Sequence, residues 1–220
     1  ERGYEVGLAC FTGPEEEQFV HSVRPMLYEL EMLPRPQRRA GLIEALNRLA
    51  CLVPADFCDV RDPSMPKLVG RMVSRSHYDA VVAEFSVMGQ YLYRNPYLSA
   101  VRRVISCHSC LTSALRKAIR LRPYSLSAMI GRMRLQGLRR YEFGMYRSAD
   151  LVLTLTAEER LDLLRYDPEL RISVVPYGVD VETFHPQPSR TPEECLVYTG
   201  YFAQEPNSDA FQWFVETTWP

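Results

Sequence analysis

KLVGRMVSRSHYDAVVAEF, residues 67–85, decides the fold. Its first half repeats apolar residues at helical spacing, with Leu68, Val69, Met72 and Val73 on one side. Its second half, YDAVVAEF, is a short and nearly continuous apolar run rich in β-branched residues. A helix that feeds such a run predicts a strand of a parallel sheet covered on both faces. The alternation extends outward. Strand-like runs are YEVGLACF (4–11), LYELEML (27–33), RRVISCH (102–108), DLVLTLT (150–156), RISVVP (171–176) and ECLVYTG (194–200). Helical patterns lie between them: residues 37–51 with Leu42, Ile43, Leu46 and Leu49, and residues 127–147 with Met129, Ile130, Met133, Leu138 and Tyr141. Strands alternating with helices of this length predict βαβ units in an α/β, Rossmann-like parallel sheet with helices on both faces.

Local chemistry marks the ends of elements. Thr156-Ala-Glu-Glu159, directly after a strand run, reads as a capping box. Asn207 after Pro206 reads as the N-cap of a last helix, which Pro220 stops. From Pro176 to Pro192 the chain is rich in Pro, Gly and polar residues and reads as a linker. The strand and helix after it are too little for a core, so the second domain reads as cut short. ERGYEV reads as a helix end at Glu1 and Arg2, a turn at Gly3, and a strand from Tyr4. That helix end would belong to chain upstream, so the sequence reads as a fragment.

The composition excludes several classes. The 220 residues are 46% hydrophobic and 24% charged, with a net charge of -1. That balance does not fit a protein that coats nucleic acid with a basic surface. No run reaches the length needed to span a bilayer, and no secretory leader is legible. The six cysteines are scattered among apolar neighbours, which predicts reduced, buried thiols in a cytoplasmic protein.

The combined motifs resemble one family. VVPYGVDVETFHP followed by LVYTGYFAQEPNSDAFQWF is similar to the domain junction of family-4 glycosyltransferases, in the subgroup that carries Pro-Asn here. ERGYEV and YRSADLVLTLTAEERLDLL resemble two further family motifs, in the same order. The resemblance covers most of the chain and is weakest across 12–75. It implies the GT-B architecture of two facing Rossmann-like domains. Residues 1–176 would be the acceptor-side domain without its first strand, 177–193 the linker, and 194–220 the start of the nucleotide-sugar domain.

The resemblance also implies an activity: transfer of a hexose from a nucleotide sugar to an acceptor hydroxyl, with retention at the anomeric carbon and with no metal or other cofactor. Bacterial-type synthesis of cell-surface polysaccharide or glycolipid is the expected setting. The family's paired-Glu motif would lie beyond Pro220, so these residues alone are expected to be inactive. A non-catalytic Rossmann-like binding module is the alternative.

Site residues follow from the strand ends, where α/β sheets hold ligands. His108 ends a buried strand and matches the family's cleft histidine, as the catalytic candidate; Ser109 replaces its usual acidic neighbour. Two other readings of CHSC (107–110) stand beside it: a structural histidine with packed thiols, or a redox or zinc site. Glu84 ends AVVAEF and is read as acceptor-binding, with helix capping over 86–92 as its other reading; Ser86 and Ser109 are further acceptor-side candidates. Gly200 follows the first strand of the second domain and would let backbone N–H groups approach the donor diphosphate. The family's Arg and Lys after this glycine are replaced by Tyr201, Phe202 and Asn207, so a phosphate-neutralising cation must come from elsewhere. Tyr177 stands where the family has Asn; Gly178 and Asp180 would shape the linker.

The stretch 102–147 is locally basic. Its arginines and Lys117 face a single acid, Glu142, which either pairs with one of them or caps neighbouring structure. With interleaved Leu, Met and Ile, the stretch resembles a membrane-surface helix that meets anionic headgroups at the inner face. The plainer reading is a solvated helix face. Aromatic residues are too sparse here to stack RNA bases.

Overall fold

A computed structural model describes residues 3–36, 53–98, 100–121, 123–185, 196–202 and 205–219. The predicted helix over 37–51 lies outside the described residues, as do Glu1, Arg2, Cys51, Arg122, Cys195 and Pro220. The chain divides into two compact units, Glu1–Tyr177 and Gly178–Pro220.

The first unit is a parallel α/β structure, as the alternation predicts. Strands β1 (Gly7–Thr12) and β2 (Glu29–Pro34) form one parallel pair. Strands β3 (Ala80–Glu84), β4 (Arg102–Cys107), β5 (Leu151–Thr154) and β6 (Ile172–Val174) form a second sheet, all parallel and in chain order. The helices are α1 (Val20–Val23), α2 (Ala55–Cys58), α3 (Ser64–Ser76), α4 (Leu111–Leu121), α5 (Leu126–Arg147) and α6 (Ala157–Tyr166). Each strand of the run 78–176 is thus shorter than its predicted stretch by one to three residues, although Asp150 and Val175, just outside β5 and β6, still donate to Arg103 and Thr154 carbonyls at 2.8 Å.

Local sequence explains the helix ends. The apolar face of α3 (Met65, Leu68, Val69, Met72, Val73) is buried, and Pro66 is tolerated in the first turn, where no intrahelical N–H is needed. The Ser125 hydroxyl caps α5 by accepting from the Ala128 N–H at 3.1 Å. The capping box of α6 is present in full: Thr156 accepts from the Glu159 N–H, and Glu159 accepts from the Thr156 N–H. The core joins α3, α5 and the second sheet. Phe57, Met65, Ile105, Leu138, Met145 and Tyr146 are almost fully buried, and such side chains contribute about 1.5–3 kcal/mol each.

Three expectations are corrected. The run AVVAEF is not covered on both faces: β3 is an edge strand, with Val82 49% exposed and Phe85 55%. Residues 196–200 form no strand. The last helix, α7, spans Glu205–Thr217, so Asn207 lies inside its first turn rather than at its cap; its side chain donates to the Tyr201 carbonyl. In the second unit Tyr198, Phe202 and Phe211 pack ring on ring at 5.1–5.5 Å.

Candidate functional site

The parallel register sets the site. Glu84, the last residue of β3, pairs with Ser106 in β4. His108 follows two residues later, beyond the strand end, so its ring lies beside both. Its Nε2 is 2.8 Å from Glu84 Oε2 and 3.2 Å from Ser106 Oγ. Its Nδ1 is 2.6 Å from the Tyr177 hydroxyl. With Glu84 accepting from Nε2–H, a neutral ring accepts from Tyr177 at Nδ1. The Phe85 ring stacks on the imidazole at 4.2 Å between centroids. His108 is therefore held on both nitrogens and on one face. The His108 side chain is 16% exposed and that of Glu84 64%.

Phe85 holds this position at φ +66. Left-handed backbone in a bulky residue costs about 1–3 kcal/mol and persists where the surroundings impose it. Such strain clusters at functional sites, and here it turns the chain so that Phe85 covers His108 while Ser86 points inward.

Beneath the site is a buried polar network. Glu142 of α5 is 0% exposed. Its carboxyl group accepts from the Leu111 and Thr112 N–H groups at 2.8 Å each and from the Thr112 hydroxyl at 2.6 Å. It thus caps the N-terminus of α4, whose first N–H groups have no helical partner. The Tyr146 hydroxyl donates to Glu142 at 3.0 Å and shares a 2.7 Å bond with Ser86 Oγ, which is also 3.1 Å from the Ser109 carbonyl. One network therefore pins the end of β3, the 107–112 turn and α5 together, and the turn carries His108.

The thiols belong to this network. Burial, above all, raises the Cys107 thiol, and Cys107 accepts from Ser86 at 3.3 Å. Cys110 is pushed far up, by burial first and by the neighbouring Glu142 second, and its thiol donates to Glu142 at 3.4 Å. A redox or zinc-binding pair needs thiolates; this environment holds both as thiols. Among the described residues, no group of three or more His, Cys, Asp or Glu is placed to hold a metal ion.

Glu84 and His108, both named from sequence, are thus brought together in direct contact. Ser109 is exposed beside them. Ser86 is 3% exposed, its hydroxyl engaged by Tyr146 and Ser109, and it faces the interior. Glu84 does not cap the 3-10 turn Ser86–Tyr91. Gly200 belongs to the second unit, where a Cβ would meet Tyr198 at 2.9 Å. Asp180 binds the Glu182 and Thr183 N–H groups and the Thr183 hydroxyl; the Thr183 hydroxyl, first among these bonds, holds its carboxyl below the usual range. Sequence reasoning missed Phe85 and Ser106, gave Tyr177 no contact with His108, and left Glu142 undecided. A lone acid in a basic, amphipathic helix is the one signal that pointed to Glu142.

His108 and Glu84 thus meet at the carboxyl ends of two parallel strands, where open α/β sheets commonly hold ligands. The profile described as Glycosyltransferase Family 4 matches residues 1–183, and the chain belongs to that family. The chain is also similar to the crystal structure of Arabidopsis thaliana UGT89C1 complexed with quercetin, at 12% identity and a TM-score of 0.43. That likeness covers 81% of this chain and 45% of the other, so this chain spans less than half its length. No curated protein matches the chain.

Proposed function

We propose that the whole protein transfers a hexose from a nucleotide sugar to an acceptor hydroxyl, with retention, in the synthesis of cell-surface polysaccharide or glycolipid. The observation that supports this reading best is the His108–Glu84 contact at the carboxyl ends of β3 and β4 in a family-4 chain. In the transfer, the bond from the anomeric carbon to the nucleoside diphosphate breaks. A bond to the acceptor oxygen forms on the same face, and the hydroxyl proton departs with the leaving group. His108 hydrogen-bonds a sugar hydroxyl or shares charge that develops at the reacting centre. Glu84 holds the imidazole and offers an acceptor oxygen to the acceptor sugar, with Ser109 beside it. Gly200 lets backbone N–H groups reach the donor diphosphate. The chemistry assigned to these residues needs no metal, and residues 1–220 alone are inactive in this reading.

A second feature supports a lipid-linked acceptor. Where α4 meets α5, Leu121, Tyr124, Leu126 and Met133 are 83%, 100%, 69% and 80% exposed. Lys117, Arg120, Arg132 and Arg140 are exposed on the same pair of helices. Exposed apolar side chains with cations on the same helices suit the surface of an anionic bilayer, at the inner face of a cytoplasmic membrane.

The function is tested by nucleotide release from a panel of nucleotide sugars, with the polypeptide extended at both ends. One donor turned over supports the transferase; none turned over with acceptor lipids supplied moves the reading to a binding module. The surface is tested on phosphatidylglycerol-containing vesicles. Lys117→Gln with Arg120→Gln should weaken binding roughly thirtyfold, at about 1 kcal/mol per cation. Equal binding to neutral vesicles contradicts it.

A further inference from the structure

The two nitrogens of His108 are held in unequal ways. Nε2 meets Glu84 at 2.8 Å and Ser106 at 3.2 Å. Those two residues are register partners in the β3–β4 ladder, so the backbone fixes their place beside the ring. Ser106 is buried, and Phe85 closes one ring face. Nδ1 meets a single group, the Tyr177 hydroxyl, at 2.6 Å. Tyr177 belongs to no strand or helix: it follows the end of β6 at Val174, in a stretch without regular structure. It is 69% exposed. Among the described residues, its hydroxyl has no hydrogen bond besides the one to His108. Its ring lies 5.7 Å from the imidazole and tilted, not stacked on it. One side of His108 is therefore built into the sheet, and the other is covered by one exposed side chain.

The chemistry of the ring gives this asymmetry a consequence. A carboxylate only accepts hydrogen bonds, so Glu84 requires the proton on Nε2, and a neutral ring then keeps a lone pair at Nδ1. That lone pair needs a donor. A phenol O–H and a sugar O–H are equivalent donors to it. A carboxylate or phosphate oxygen brings no proton, and it would also meet the charge of Glu84. The position at Nδ1 thus suits a neutral hydroxyl and rejects an anion.

We propose that Tyr177 is a removable occupant of the ligand position: its hydroxyl fills the place at Nδ1 that a sugar hydroxyl takes, and the sugar displaces it. Tyr177 then sets specificity. A ligand that moves the phenol aside without donating a hydroxyl of its own leaves Nδ1 unpartnered, and so loses to one that donates. Tyr177 also lowers apparent affinity, because only the fraction of molecules with the phenol displaced can bind. Nδ1 is the nitrogen that meets ligand, while Nε2 stays with Glu84 and Ser106. The identity of the ligand as a sugar rests on the transferase reading; the choice of Nδ1 as the exchangeable side rests on the contacts of His108 alone.

Nitrogen-15 NMR of the histidine side chains in the whole protein tests this without any turnover, at about pH 9, above the usual imidazole range. The His108 signals are assigned by their loss in His108→Gln. Native protein and Tyr177→Phe should both carry the proton on Nε2, and in the variant the Nδ1 signal should move towards that of a free lone pair. A proton that moves to Nδ1 in Tyr177→Phe overturns the inference, because Tyr177 would then set the tautomer instead of occupying a site. An unmoved Nδ1 signal overturns it too. Kinetics give a second readout: Tyr177→Phe should raise kcat/KM about fivefold, the factor for one net hydrogen bond, through a lower KM for the sugar that binds there. An equal or lower kcat/KM makes Tyr177 a fixed support of His108 and overturns the inference. If native protein turns over no donor, the transferase reading fails, while the NMR result still decides between occupant and support.

Discussion

His108 differs from an ordinary surface histidine in its partners. Glu84, Ser106, Tyr177 and Phe85 together fix both nitrogens and one ring face. The identities of His108 and Glu84 were legible as polar residues at the ends of apolar runs. The Tyr177 contact was not, because it spans 69 residues of chain. Nor was Phe85: a bulky residue at positive φ has no sequence signature. The neighbouring thiols show how environment settles what a motif leaves open. Cys-x-x-Cys alone admits a redox pair. Burial raises both thiols, and Glu142 raises Cys110 further. A raised thiol pKa means less thiolate at a given pH, and only thiolate is alkylated. At pH 8, iodoacetamide should therefore leave Cys107 and Cys110 unmodified in the folded protein and label them only after unfolding; peptide mapping checks this. Fast labelling of either at pH 8 would contradict the described environment.

At the scale of elements, α5 does two jobs. Its exposed amino-terminal half carries Met129, Ile130 and Met133, while its carboxyl-terminal half supplies Glu142, Phe143, Met145 and Tyr146 to the interior. The periodicity of 127–147 gave the helix, and the structure adds only Leu126 to it. It did not show that the one acid in the stretch caps another helix, since that depends on where α4 begins in space. Glu142→Ala would leave the Leu111 and Thr112 N–H groups and the Thr112 hydroxyl buried without partners. Each unsatisfied group costs about 1–3 kcal/mol, so the expected loss is about 3 kcal/mol or more, read from urea unfolding. A loss under about 1 kcal/mol would mean that water or a relaxed turn replaces the cap. The strand runs had the opposite fate to α5. Their type was legible, yet their neighbours were not, and AVVAEF, an interior strand by composition, stands at an edge.

For the whole molecule, the alternation of 67–85 carried outward gave the parallel α/β architecture of the first unit. Compact packing divides between Tyr177 and Gly178, and the second unit takes in Gly178–Pro220, the stretch read from sequence as linker included. Residues 196–200 failed as a strand because apolar patterning alone does not form one; a ladder partner is needed. Family membership rests on residues 1–183, and from it the proposal takes the reaction, while the residue roles it proposes start from the His108–Glu84 contact. That combination places the greatest demand on His108. The most direct measurement is nucleotide release from the donor that the extended polypeptide accepts, native against His108→Ala, with circular dichroism confirming an unchanged fold. Loss of a positioned group that stabilises developing charge lowers kcat by about 10²–10³, and a fall of that size is expected. Turnover within a few fold of native would contradict the central claim and leave His108 a structural partner of Glu84 and Tyr177.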